Sequence, residues 1–435
     1  MNSLLCLCLA LGLAGSTTAA PPSGESESIK GADLQLLDEV RRIAGKVARL
    51  RGQEFARPPL AVRVPDAMRE VAAEIRAYGI LSRVRMAARG RAWADVGLGG
   101  PETPEIFLRT LAADLEGVGF DPEGNRLLVS PERMTERDFD PSGSADDPAT
   151  VLLLTGVRRD EPLFCHLLMH VRQRERAGAD PLDPTTDRLL ARMAWAEGEA
   201  NLVAVRHLFA GLALADEVLT ANIDPGEVLD GSLLPRGIEK LGSVEQALLR
   251  FVYDEGFAQA AERYRAGGWK ALDRAMSRET TRALLHPERA GDPPAVFPEP
   301  VAPAIDGLRL ADEDSLGEQA IVVLVSTATG KDNLGLMAGD GWVGDRLYRW
   351  EAGGGPGITE WITRWSSAEA AADFEYAYGR CLSARFGGSA FESADGGGKA
   401  LTVSGRVFRV ERRGSEVRMR IAPPDWDARL SDSGK

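Results

Sequence analysis

The sequence predicts a helix-rich α+β chain in two parts, a larger helical region followed by a small α/β sandwich. Three observations carry this. Between about residues 33 and 290 apolar residues recur mainly at helical spacing. Prolines then crowd positions 287, 293, 294, 298, 300 and 303, the mark of a linker or an extended crossing. Beyond them the pattern changes to short alternating runs around glycine-rich turns. At 435 residues, 44% hydrophobic and 27% charged, the chain has the length and composition for a sizeable core.

The first twenty residues read as a secretory signal peptide. Leu4 to Leu13 is apolar and small residues lead to Ala19-Ala20, while the run is too short to span a membrane. The n-region lacks Lys and Arg. Cys6 and Cys8 lie within the apolar run without the small residues that precede a lipidated cysteine, so a lipoprotein is the weaker reading. Export to the periplasm or the medium is expected. Residues 21–32, rich in Pro, Ser and Glu, read as a mobile leader. With 52 basic against 65 acidic residues, the chain carries a formal charge of −13, which argues against nucleic acid and anionic membrane as partners. After cleavage only Cys165 and Cys381 remain, too few for a disulfide framework.

Taken in order, Leu36, Val40, Ile43, Val47 and Leu50 predict a helix over 33–50, and Leu60 to Val64 alternates as a strand that stops at Pro65. Asp66 caps a helix through Tyr78, and another covers 103–116. The turn signal Asp121-Pro122-Glu123-Gly124-Asn125 between two apolar segments predicts a hairpin over 117–129, and residues 135–149 read as a loop. Residues 151–154 fit a strand or the start of the next helix. A helix follows from Asp160 to Ala177, then a loop over 178–183 and a long core helix opened by Pro184 and Asp187. Helices over 243–253, 257–265 and 269–276 are broken at Gly267-Gly268, with the first region closing at residue 290. The linker spans 291–304 and the α/β part 305–425, with strands near 346–350, 358–365, 400–403, 407–411 and 417–421 and a helix capped at Ser366-Ser367. Residues 426–435 form a loose tail.

The chemistry is concentrated in Phe164-Cys165-His166-Leu167-Leu168-Met169-His170. Histidines four apart share one helix face, the spacing at which two imidazoles hold one tetrahedral zinc. On the next helix Glu197, 27 residues after His170, shares its face with Leu190, Met193, Ala194, Ala200, Asn201, Ala204 and Leu208 and so points inward. Glu199 falls on the opposite side. Two His and a Glu make the three protein ligands of a catalytic-type zinc site and leave a fourth position for water. A satisfied polar spot on a core helix is the plainer alternative for the His pair.

These residues resemble secreted bacterial zincin-like metallopeptidases of the gluzincin type, in which an A-H-E-x-x-H-A-x-x-D helix precedes an E-G-x-A helix. Here the pair reads Cys165-His166-Leu-Leu-Met-His170-Val-Arg-Gln173 and Glu197-Gly-Glu-Ala200. Val118-Gly-Phe-Asp-Pro122 is similar to the family's hairpin. Phe251-Val-Tyr-Asp-Glu-Gly256, Gly267-Gly-Trp269, Leu285-His286-Pro287, Leu316-Gly-Glu318 and Gly341-Trp-Val-Gly-Asp345 are similar to its later landmarks. The resemblance covers roughly residues 55–380. It implies a zincin-like domain over 33–290 with His166, His170 and Glu197 as zinc ligands, and gives His286 an oxyanion-stabilising role, Tyr253 less so.

Leu167 stands where such a peptidase keeps its glutamate general base, and leucine cannot move a proton. Glu161 and Glu175 are badly placed to replace it. The reading is therefore a weakened or inactive peptidase relative that binds zinc, a peptide or protein ligand, or both. An active zinc peptidase with a displaced base and a structural envelope protein without metal are the alternatives. The sequence leaves the oligomeric state open.

Overall fold

The computed structural model describes residues 34–57, 59–113, 118–121, 124–131, 157, 160–177, 185–210, 237–276, 280–289, 291, 295–353, 357–387, 392–393 and 398–432. The leader, the 135–149 loop, residues 151–154 and the 178–183 loop fall outside them.

The chain opens with helix α1 (Leu34–Arg51), which buries Leu36, Val40, Ile43 and Val47 on one face, as their spacing requires. Strand β1 (Leu60–Arg63) follows, then α2 (Asp66–Ile80), α3 (Arg83–Val96) and α4 (Thr103–Ala112). Asp66 does not cap α2. Pro65 holds the cap position, and Asp66 sits in the first turn, paired with Arg69 at 2.6 Å. Strands β2 (Val118–Asp121) and β3 (Arg126–Val129) form the expected hairpin, with Asn125 at φ 46° in its turn. β1 pairs with β3 in parallel, which gives a three-stranded sheet in the order β1-β3-β2.

The two motif helices are α5 (Glu161–Ala177) and α6 (Thr186–Phe209), packed side by side. β2 lies against α5, and α1 lies against both helices. After α7 (Ser243–Arg250) the helix widens into one π turn, Phe251–Glu255, before α8 (Gly256–Ala275). Inside α8 the backbone breaks at Gly267-Gly268, where Gly268 has φ 65° and ψ −161°, a conformation open to glycine alone. Helix α9 (Thr281–Leu285) is capped by the Thr280 hydroxyl, which accepts from the Ala283 N–H at 3.1 Å.

The C-terminal part holds β4 (Arg309–Asp314), α10 (Gly317–Thr329), α11 (Asp332–Gly339), β5 (Trp342–Glu351), β6 (Gly357–Trp365), α12 (Ala368–Arg385), β7 (Glu392–Ser393), β8 (Lys399–Val403), β9 (Arg406–Arg413), β10 (Glu416–Ala422) and α13 (Pro424–Asp432). Its strands make one seven-stranded antiparallel sheet in the order β4-β5-β6-β10-β9-β8-β7. Trp361 meets Phe374 and Tyr378 edge-on beneath it, with Trp365 stacked on Phe374 at 4.7 Å. The segment expected to be a loose tail is helix α13. Its Trp426 and Leu430 pack on Tyr348, Trp350 and Ile358, and its buried Asp427 accepts from Arg409 and Arg420.

The architecture is thus α+β and helix-rich, with two separate sheets. One contiguous cluster of buried apolar side chains runs from Val40 and Leu163 through Leu190 and Leu324 to Trp361 and Ile421, on both sides of the proline run. Buried polar contacts join the same two sides. Arg89 of α3 donates to Asp312 at 2.8 Å and Trp93 to Asp314 at 3.2 Å. Thr186, at the start of α6, donates from its N–H and hydroxyl to Asp314, both at 2.7 Å.

Candidate metal centre

One turn apart on α5, His166 and His170 turn their Nε2 atoms to the same side, 2.9 Å from each other. Glu197, on the inward stripe of α6, brings Oε2 to 3.1 Å from His166 Nε2 and 3.5 Å from His170 Nε2. Four ligands at 2.0–2.1 Å around a tetrahedral zinc are separated by edges of about 3.3 Å. The three observed separations scatter around that edge. Glu197 Oε2 is buried and has no hydrogen-bond partner, an arrangement that costs several kcal/mol unless something cationic satisfies it.

Hydrogen bonds behind the two rings fix which ring atoms face Glu197. His166 Nδ1 lies 2.8 Å from Asn201 Oδ1, and His170 Nδ1 lies 2.8 Å from Gln173 Oε1. An amide oxygen only accepts, so each Nδ1 carries the proton and each neutral ring presents the lone pair of Nε2. The orientation of Gln173 is set by its other end, where Nε2 donates to Ala196 O at 2.8 Å and to Glu199 Oε2 at 3.0 Å. Two imidazole lone pairs and a carboxylate oxygen therefore converge, a set that repels itself until a cation lies between them.

A proton or a metal ion can supply that cation. Burial pushes His166 below the ordinary imidazole range. At His170 burial is again the largest cause, but the charge and hydrogen bond of Glu197, the hydrogen bond of Gln173 and the charge of Glu199 together outweigh it and raise the ring above that range. Burial disfavours the charged Glu197, yet His170 and His166 hold its carboxyl down at about 2. The donors match borderline metals that accept nitrogen and oxygen together, and within the described residues this is the only group of three or more His, Cys, Asp or Glu with that convergence. Exposure is confined to one ring: the side chains of His166 and Glu197 are 0% and 4% exposed, that of His170 21%.

Leu167 belongs to the apolar cluster and is 4% exposed. Glu161, at the head of α5, is bound by Arg42, Lys46 and His207, and Glu175 accepts from Arg172 and from the N–H groups of Ala56 and Arg57. Neither is free to act as a base. His286 offers Nε2 to Glu318 at 2.7 Å across the junction with α10, rather than to the three donors. Tyr253, on the π turn, is buried. Desolvation chiefly, and the charge of Glu197 in addition, raise its hydroxyl well above the ordinary range. Cys165 and Cys381 are buried free thiols, and burial raises both.

Glu199 falls where the wheel put it, with partners the wheel could not show. It was expected on the far side of α6 and does point away from Glu197, yet its side chain is 0% exposed. It accepts from Arg51 at 2.8 Å and Arg176 at 2.9 Å, and those guanidiniums together with Asp273 enclose it. The sequence reasoning gave no role to Arg51, Gln173, Asn201 or this enclosed carboxylate. Asn201 alone left a signal, as the one polar residue on an otherwise apolar stripe.

The domain-of-unknown-function family DUF8575 matches residues 307–430, the part that carries the seven-stranded sheet. No curated protein and no solved structure matches the chain. No helix among the described residues is long and apolar enough to cross a membrane.

Proposed function

We propose that this is an exported zinc-binding protein built on a zincin-like helix pair, related to zinc peptidases but without their general base. The observation that carries the reading is the convergence of His166 Nε2, His170 Nε2 and Glu197 Oε2 at separations of 2.9, 3.1 and 3.5 Å. Bound there, zinc would supply a Lewis-acid centre with one coordination position left over. His166, His170 and Glu197 hold it, and Asn201 and Gln173 keep the two rings in the ligating tautomer.

Among the described residues, none of the carboxylates considered for the role is placed to take a proton from a water in the remaining position. Leu167 is apolar and packed into the core, while Glu161 and Glu175 are committed to cations and backbone donors elsewhere. The protein is therefore read as holding a peptide or protein segment rather than cleaving it. Zinc-loaded full-length protein incubated with a mixed peptide library tests this by mass spectrometry. The expectation is an intact library, with or without a chelator. Hydrolysis that the chelator abolishes would select the alternative, a working zinc peptidase with a displaced base. Export is tested separately by the N-terminus of protein from its native host, expected near Pro21. An intact Met1 would contradict it.

A further inference from the structure

The buried carboxylate of Glu199 is not one of the three converging donors, yet it helps to seat Gln173, which faces one of them. Glu199 is enclosed by Arg51 of α1, itself 1% exposed on its side chain, and by Arg176 at the end of α5. Asp273 of α8 bridges the same two guanidiniums. Two carboxylates thus balance two guanidiniums. Arg51 also lies over the Trp269 ring at 4.5 Å, and the indole N–H is held by Leu50 O at 2.8 Å. The result is a charge-balanced clamp that holds Glu199, with Oε2 toward Gln173.

That oxygen accepts from Gln173 Nε2. A glutamine amide has two chemically different ends, and here both acceptors, Glu199 Oε2 and Ala196 O, lie at the same end. The amide can be seated in one sense only, with Oε1 turned to His170 Nδ1. The chain of contacts runs from the arginines through Glu199 and Gln173 to the one ring of the centre that reaches solvent.

Resting on the zinc-site reading above, we infer that Gln173 and Glu199 form a positioning relay for His170, locking Nδ1 as the protonated atom and aiming the Nε2 lone pair at the metal. Neither residue touches the ion. Their effect is on the orientation and basicity of a ligand that would otherwise flip or rotate toward solvent.

The test uses full-length protein and two metals. Zinc affinity is measured by competition with a chromophoric chelator, and cobalt(II) replaces zinc to read ligand geometry from its visible absorption. Gln173→Met keeps the length of the side chain and removes its acceptor. The expected result is zinc binding about 10- to 100-fold weaker and an altered cobalt band, with the melting temperature of the metal-free protein close to wild type. Arg176→Gln, at the solvent edge of the clamp, leaves Arg51 on Glu199 and is expected to weaken zinc by less than Gln173→Met does. It keeps the question answerable if Gln173→Met does not fold. Wild-type affinity and an unchanged cobalt spectrum in the folded variants would overturn the relay while leaving the zinc site standing. A wild-type protein that takes up neither metal would overturn the site reading itself, and the relay with it.

Discussion

Gly198 and Gly256 meet backbone to backbone: a Cβ placed on Gly198 would lie 2.1 Å from the carbonyl oxygen of Gly256. The converse contact is as close, since a Cβ on Gly256 would lie 2.3 Å from Ala194 O. Neither helix has a flexible side chain that could yield. The glycine that follows Glu197 is therefore what lets α6 approach the π turn and α8, and it sets where the Glu197 carboxylate sits.

Gly198→Ala should accordingly force the helices apart. Overpacking of this kind costs about 1–3 kcal/mol, and because Glu197 is the adjacent residue, zinc affinity should fall together with stability. Chemical denaturation and metal competition on the same preparation check this. A variant with wild-type stability would show that the crossing is looser than the geometry states.

Leu167→Glu distinguishes an open cleft from an abandoned one. Leu167 is 4% exposed and belongs to the main apolar cluster, so a carboxylate there is buried without a partner. The expected cost is about 3–5 kcal/mol, seen as a large fall in Tm, with no gain of peptide hydrolysis in the presence of zinc. A stable variant that cleaves peptides would mean that water reaches position 167.

The proline-rich segment suggested two separable domains, but the packing predicts shared unfolding. A single apolar cluster spans both sides, and buried Arg89, Trp93 and Thr186 all bind Asp312 or Asp314. Calorimetry of the full chain is expected to show one cooperative transition. Two well-separated transitions would contradict this.

At the same junction Asp187 accepts from the Thr281 N–H at 2.9 Å and hydroxyl at 2.6 Å. Burial is the main cause that lifts its carboxyl to about 7, and Asp345 and Glu318 add to it, against the two Thr281 bonds. A carboxyl raised in the fold binds its proton more tightly there than in the unfolded chain. Its contribution is complete below about pH 4 and is lost as pH rises through 7. The opposite contributions of Glu197 and Glu199, whose carboxyls are lowered, change only below the ordinary carboxylate range. Between pH 5 and 8, stability should fall with rising pH, and Asp187→Asn should remove about 3 kcal/mol of that fall. Parallel pH profiles for the two proteins would contradict the assignment.

Much of this was legible in the sequence because the signals were local. Val40, Ile43 and Val47 marked their buried face by period alone, the Asp121–Asn125 turn announced its hairpin, and the His166/His170 spacing with an inward Glu197 pointed to three side chains that converge. What stayed hidden depends on distant partners. Glu199 was placed only on the side opposite Glu197, because Arg51, which makes its burial tolerable, lies 148 positions earlier. The tail read as loose because the arginines that hold Asp427 lie on β9 and β10. Helices α3, α10 and α11 went unread. The exposed-to-buried contrast is weak in α3, where Arg89 is interior, and in α10, which is apolar on most sides.

The most direct test of the central claim is the metal content of purified full-length protein after zinc loading and desalting, measured by elemental mass spectrometry beside His170→Ala and Glu197→Ala. One zinc per wild-type chain is expected, with loss of most of it in both variants. A wild-type protein without zinc, or variants that retain a full equivalent, would contradict it.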